Sequence, residues 1–136
     1  MKKILFIILG TLLFVSCDTS YPVDLTKKQV FNFEVKAKDW VKYSESNGLN
    51  PYYKCHFNIN AGSGYSLDDC AVLAYINFGD YEQSLPWTRH FENTSNIWTR
   101  TVDFDYSLRD INFYVTNSDF ANDPPETMYF RVVFIW

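Results

Sequence analysis

An all-β fold is predicted by the sequence: an antiparallel β-sandwich, immunoglobulin-like, with about seven short strands and little helix. Three observations carry it. Apolar and polar side chains alternate with a period of two through most of the chain beyond residue 28. Clusters of Asn, Gly, Ser and Pro punctuate these runs. No segment carries a capped apolar i, i+3, i+4, i+7 stripe, so any helix should be a single turn, around Ser66 to Asp69.

The first strand reads from Val30 to Lys36, with Phe31, Phe33 and Val35 on one face and Asn32, Glu34 and Lys36 on the other. Trp40 follows a short break. Residues 44–51, SESNGLNP, are turn chemistry, because Asn47-Gly48 tolerates positive φ and Pro51 cannot donate to a ladder. The next strand, Tyr52 to Ile59, puts Tyr53, Cys55, Phe57 and Ile59 on one face, and Asn60-Ala61-Gly62-Ser63-Gly64 ends it in a loop. Cys70 to Asn77 is a continuous apolar run of strand length, as expected of a strand central in its sheet. Further strands are expected at Pro86 to Phe91, Ile97 to Phe104, Ile111 to Thr116 and Thr127 to Trp136. The last alternates Met128, Phe130, Val132, Phe134 and Trp136 with Tyr129, Arg131, Val133 and Ile135. Both of its faces are largely apolar, so it belongs in a sheet interior or at an edge that something covers. Trp40, Phe57, Phe104, Phe113 and Phe130 fall at inward phases and should fill the core.

Composition narrows the class. With 136 residues, 47% hydrophobic and 21% charged, the chain suits one globular domain and not a disordered or fibrous one. Net charge is −4, and −6 once Lys2 and Lys3 are removed with a leader, so the basic footprint of nucleic-acid binding is missing.

Residues 1–16 have the make-up of an export signal: Lys2 and Lys3, an apolar run from Ile4 to Val15, then Ser16. The run of about twelve residues falls short of the roughly 20 that a membrane-spanning helix needs. With Cys17 directly after Ser16, the stretch resembles a bacterial lipoprotein signal, although Phe14 and Val15 stand where Leu and a small residue are commoner. That resemblance implies lipid on Cys17 and attachment to the cell envelope, with the outer membrane as the expected site. Two or three acyl chains, at about 0.8 kcal/mol per buried methylene, hold a protein stably at a membrane. Residues 17–28 then form a lipidated tether and residues 29–136 the sandwich domain.

Four motifs in order, Asp39-Trp40, Val72-Leu73-Ala74-Tyr75, Leu85-Pro86-Trp87 and Phe130-Arg131-Val132-Val133-Phe134-Ile135, extend the likeness over nearly the whole mature chain. In them the sequence resembles a group of small lipoproteins of gut-type anaerobic Gram-negative bacteria, mostly of unassigned function. It departs from the group at Cys70, where Gly is common, and at the final Trp136. The resemblance implies a β-sandwich and an envelope location, and carries no activity across.

Candidate chemistry is sparse. Once Cys17 is modified, Cys55 and Cys70 are an even pair in an exported protein, which invites a disulfide closing a loop of about 15 residues, worth about 3 kcal/mol. Two buried free thiols are the alternative. Asp103, Asp105 and Ser107, with Asp110 following, place oxygen ligands at positions 1, 3 and 5 as in a calcium loop, but Leu108 stands where that loop needs Gly and Tyr114 where it needs Glu. His56 and His90 lack partners at ligand spacing, so no metal and no cofactor is expected. No nucleophile elbow or phosphate-binding loop occurs, and nothing in the spacing of Glu34, Glu45, Glu82, Glu92 and Glu126 brings two carboxylates together for glycoside hydrolysis. Trp87, Arg89, His90 and Trp98 gather near one expected hairpin, the composition of a surface for sugars or peptides, with core filling as the alternative.

These residues imply a lipid-anchored, non-catalytic structural or protein-interaction module of the envelope. Its partner would be met by strand addition to the last strand. The alternative is a glycan-binding accessory lipoprotein of a surface uptake system.

Overall fold

Two antiparallel sheets make up the computed structural model, which describes residues 27–61 and 66–136. The leader, Cys17, most of the tether and the loop residues Gly62, Ser63 and Gly64 lie outside the described residues. Among the described residues there are nine strands: β1 (Lys28–Val35), β2 (Val41–Tyr43), β3 (Tyr52–Asn58), β4 (Ala71–Asn77), β5 (Glu82–Ser84), β6 (Trp87–Glu92), β7 (Ile97–Tyr106), β8 (Asp110–Asn117) and β9 (Met128–Ile135). One sheet runs β1-β9-β4-β5 and the other β2-β3-β8-β7-β6. The sandwich is therefore the expected one, with two more strands than expected. β2 and β5 are three residues long, too short to display a period of two. The strand order has the first strand beside the last, whereas in immunoglobulin domains the first lies beside the second.

Alternation builds the core. Val35 on β1, Cys55 on β3, Ile76 on β4, Val102 on β7, Phe113 on β8 and Phe130 on β9 all turn inward and are at most 6% exposed. The rings of Phe113 and Phe130, one from each sheet, stack at 4.1 Å between centroids with an interplanar angle of 12°. Phe33 closes on the same centre, 5.4 Å from Phe113 and 4.7 Å from Phe57. Trp40, set by a single 3-10 turn at Ala37–Asp39, packs edge-on against Phe130 and donates from its indole Nε1 to the carbonyl of Glu126 at 3.1 Å. Each such side chain contributes about 1.5–3 kcal/mol by leaving water.

The expected single turn is present as a 3-10 turn at Leu67–Asp69, where the Ser66 hydroxyl accepts from the amide of Asp68 at 3.0 Å. Gly48 adopts φ +78° in the turn before β3, a conformation that disfavours any residue with a Cβ. The peptide bond between Leu85 and Pro86, which carries the chain from β5 to β6, is cis.

Two expectations are corrected here. β9 has β1 on one side and β4 on the other, so both of its edges are hydrogen-bonded and no partner strand can add to it. Its two apolar faces have the interior position as their cause: Val133 on the outer face is 8% exposed, between Val30 and Leu73.

The disulfide is the second. Cys55 and Cys70 are free thiols. Cys55 lies opposite Phe113, whose ring meets that of Phe130, and Phe130 is paired with Ile76 on β4. Cys70 precedes Ile76 by six residues, about 20 Å along an extended strand. The two cysteines sit at different heights in the sandwich, far beyond the separation of about 7 Å between Cα atoms that a disulfide tolerates.

Candidate functional site

Trp87, Arg89, His90 and Trp98 do fall on one hairpin, β6–β7, but the pleat divides them. Register pairs Trp87 with Val102, Arg89 with Arg100 and Phe91 with Trp98, while His90 faces Thr99. Val102 is fully buried, so Trp87, Arg89 and Trp98 share the face turned toward the other sheet. His90 points the opposite way, its Nδ1 2.8 Å from the hydroxyl of Thr99. Trp87 is half-buried against Phe78 and Phe91, and its indole donates to Gln83. Trp98 stacks on Phe91 at 5.5 Å and 14°. It lines a cleft of about 190 Å³ with Asn93, Asn96, Arg100, Asp119 and Asp123. Arg100 is held there by Asn117 Oδ1 at 3.0 Å and by both oxygens of Glu126, at 2.9 and 2.8 Å.

A larger concavity, of about 820 Å³, lies on the outer face of the β1-β9-β4-β5 sheet. Asn32 and Glu34 of β1, Tyr129 and Arg131 of β9, and Asn77 with Phe78 at the end of β4 line it. They converge through register: Asn32, Arg131 and Tyr75 form one cross-strand row, and Glu34, Tyr129 and Asn77 the next. Arg131 lies over the ring of Tyr75, 4.4 Å from its centroid, and reaches across β4 to Glu82 on β5. Its Nε donates to both carboxylate oxygens of Glu82, at 3.0 and 2.9 Å, and a terminal nitrogen adds a further contact. Asn77 donates to the same carboxylate at 3.3 Å. The Arg131 hydrogen bonds hold Glu82 below the usual carboxylate range and raise Arg131 in turn. Tyr129 is 51% exposed, and its hydroxyl donates to Glu34 at 3.4 Å. At the rim, Phe78 stacks on Tyr81 at 5.1 Å.

The sequence reading missed this groove, because its residues are the solvent-phase positions of strands far apart in the chain. The available signal was the polar and aromatic pair Tyr129 and Arg131 in an otherwise apolar strand.

The groove is equipped to bind, with rings, amides and a fixed ion pair. It is poorly equipped to move protons. Glu34 and Glu82 stand on strands separated by β9 and β4, about 14 Å apart by strand spacing, and Glu82 is committed to Arg131. On the other sheet, the carboxylate of Asp105 accepts from Asn112 and Tyr114. His56 lies there beside Asn112 at 2.9 Å and Asp110 at 3.6 Å. Among the described residues no three of His, Cys, Asp and Glu come together to hold a metal ion, and no helix is long and apolar enough to cross a membrane.

No family model matches the chain, and neither a curated protein nor a solved structure does.

Proposed function

We propose that this protein is a lipid-anchored, non-catalytic module of the cell envelope that binds a saccharide in the groove on the outer face of its β1-β9-β4-β5 sheet. One observation carries the binding: the exposed rings of Tyr129 on β9 and of Phe78, one residue past β4, stand beside the amides of Asn32 and Asn77 and the Arg131–Glu82 pair. A flat ring offers area to the apolar face of a sugar at low entropic cost, and fixed amides and carboxylates meet its hydroxyls. The anchor rests on the leader and Cys17, and the envelope is the compartment that such an anchor implies.

Titration of the full-length protein, in a detergent that is not a glycoside, against a glycan panel tests the reading. The expected result is saturable binding that Tyr129→Ala weakens at least about tenfold, the loss of one stacking contact of about 1.4 kcal/mol. Binding unaffected by Tyr129→Ala, or no binding at all, overturns it. In cells, Cys17→Ser should abolish palmitate labelling and release the protein from the membrane fraction.

A protein partner is the second reading. The row Val30, Val133 and Leu73 on the same outer face favours it, because Val30 and Leu73 are 44% and 45% exposed.

A further inference from the structure

The groove does not end at Phe78. Asn77 and Phe78 also line a second cleft of about 160 Å³, together with Trp87, Glu126 and Thr127. Glu126 in turn holds Arg100, which lines the cleft at Trp98. The three concavities are therefore joined by shared or bonded residues. Beneath the joins runs a chain of rings: Tyr81 on Phe78 at 5.1 Å, Phe78 on Trp87 at 5.5 Å, Trp87 on Phe91 at 6.4 Å, and Phe91 on Trp98 at 5.5 Å. Hydrogen-bonding side chains accompany the rings at both ends, Asn32 and Asn77 at one and Asn93 and Asn96 at the other.

Resting on the saccharide reading above, we infer that the ligand is a linear, neutral oligosaccharide that lies along this track, from the Tyr129 groove past Phe78 and Trp87 to Trp98. A single sugar ring would occupy one concavity and leave the others unused. A chain of rings joined by short linkages meets aromatic faces in succession, each placed by the binding of the one before. Charge selects against an acidic chain. The arginines that line the three concavities are neutralised, Arg131 by Glu82 and Arg100 by Glu126, and the carboxylates of Glu34, Asp119 and Asp123 outweigh the one cation of Arg89 on the Trp87 and Trp98 face. A polyanion would meet net repulsion along its length.

The test is a length series. Cello-, xylo-, malto- and manno-oligosaccharides of two and of six units are titrated into the full-length protein by calorimetry, with tryptophan fluorescence in parallel. The six-unit form of the recognised sugar should bind at least about tenfold more tightly than the two-unit form. Trp98→Ala should remove most of that gain, bringing the six-unit form close to the two-unit affinity of the unaltered protein, whereas Tyr129→Ala should weaken both lengths. Asn96→Ala, at the lip of the Trp98 cleft, gives a milder version of the same pattern if Trp98→Ala does not fold. Equal affinity for short and long chains, with Trp98→Ala and Asn96→Ala silent, overturns the track and leaves the saccharide reading standing. No response to any sugar overturns both, and tight binding of an extended peptide in the groove does the same.

Discussion

Arg131 of β9 and Glu82 of β5 form a two-point ion pair across an intervening strand, with the ring of Tyr75 from β4 beneath the guanidinium. The pair locks the outer face of one sheet and places a fixed charge pattern in the groove. Both side chains keep about a third or less of their surface in solvent, so screening is partial and the contribution to stability is modest.

The first prediction concerns acid. Hydrogen bonds from Arg131 lower the ionisation range of Glu82 in the folded state. The unfolded chain therefore takes up a proton first as pH falls, and the stability from the pair is present above the ordinary glutamate range and lost as pH drops through the lower folded one. Glu82→Gln should cost about 1 kcal/mol at neutral pH and make the melting temperature less sensitive to pH below about 4.5. Thermal melts of both proteins from pH 3 to 7 check this, and parallel curves would refute it.

The second concerns alkali. Burial, with the hydrogen bond to Asp105, raises the Tyr114 phenol far above its ordinary range. The unfolded chain loses that proton near pH 10 while the folded chain keeps it, so stability falls as pH rises above about 10. Tyr114→Phe has no proton to lose and should flatten this decline, at a cost of about 1 kcal/mol at pH 7 from the lost hydrogen bond. Melts between pH 8 and 11 read both effects.

The thiols give the third. In denatured, unreduced protein Cys55 and Cys70 should both react with a thiol reagent, because they are unbridged. In the folded protein Cys70 should react first. Cys55 is 6% exposed, and burial together with the nearby charge of Asp39 pushes its thiol up, away from the reactive thiolate. Mass spectrometry after timed alkylation distinguishes the two, and equal rates would contradict the assignment.

The fourth tests the junction of the sheets. Phe113 is fully buried and stacked on Phe130 at 4.1 Å. Phe113→Ala should cost about 3–5 kcal/mol, whereas Phe78→Ala, at a ring 37% exposed on the groove rim, should cost far less. Urea denaturation of the two variants measures the difference.

Much of the fold was legible because several of the long strands alternate clearly enough to declare their inward face. Phe33 and Val35 on β1, Phe113 and Val115 on β8, and Phe130 and Val132 on β9 all turn to the core as their spacing requires. β2 and β5 escaped because three residues give no period. The hairpin with Trp87, Arg89, His90 and Trp98 was legible as a cluster in the chain, but the pleat turned His90 to the opposite face.

What the sequence determined by itself was the fold class, the inward phase of the strands that alternate, and the turn at Ser66, because these follow from local alternation and local hydrogen bonding. Its leader and Cys17 also carry the expectation of an anchor. Only the tertiary structure decided that β9 is interior, that Cys55 and Cys70 lie at different heights, and that Asn32, Asn77, Glu82 and Arg131 meet in one groove. Those facts depend on which strands are neighbours and in what register, and a period of two constrains the face of a residue without naming the strand beside it.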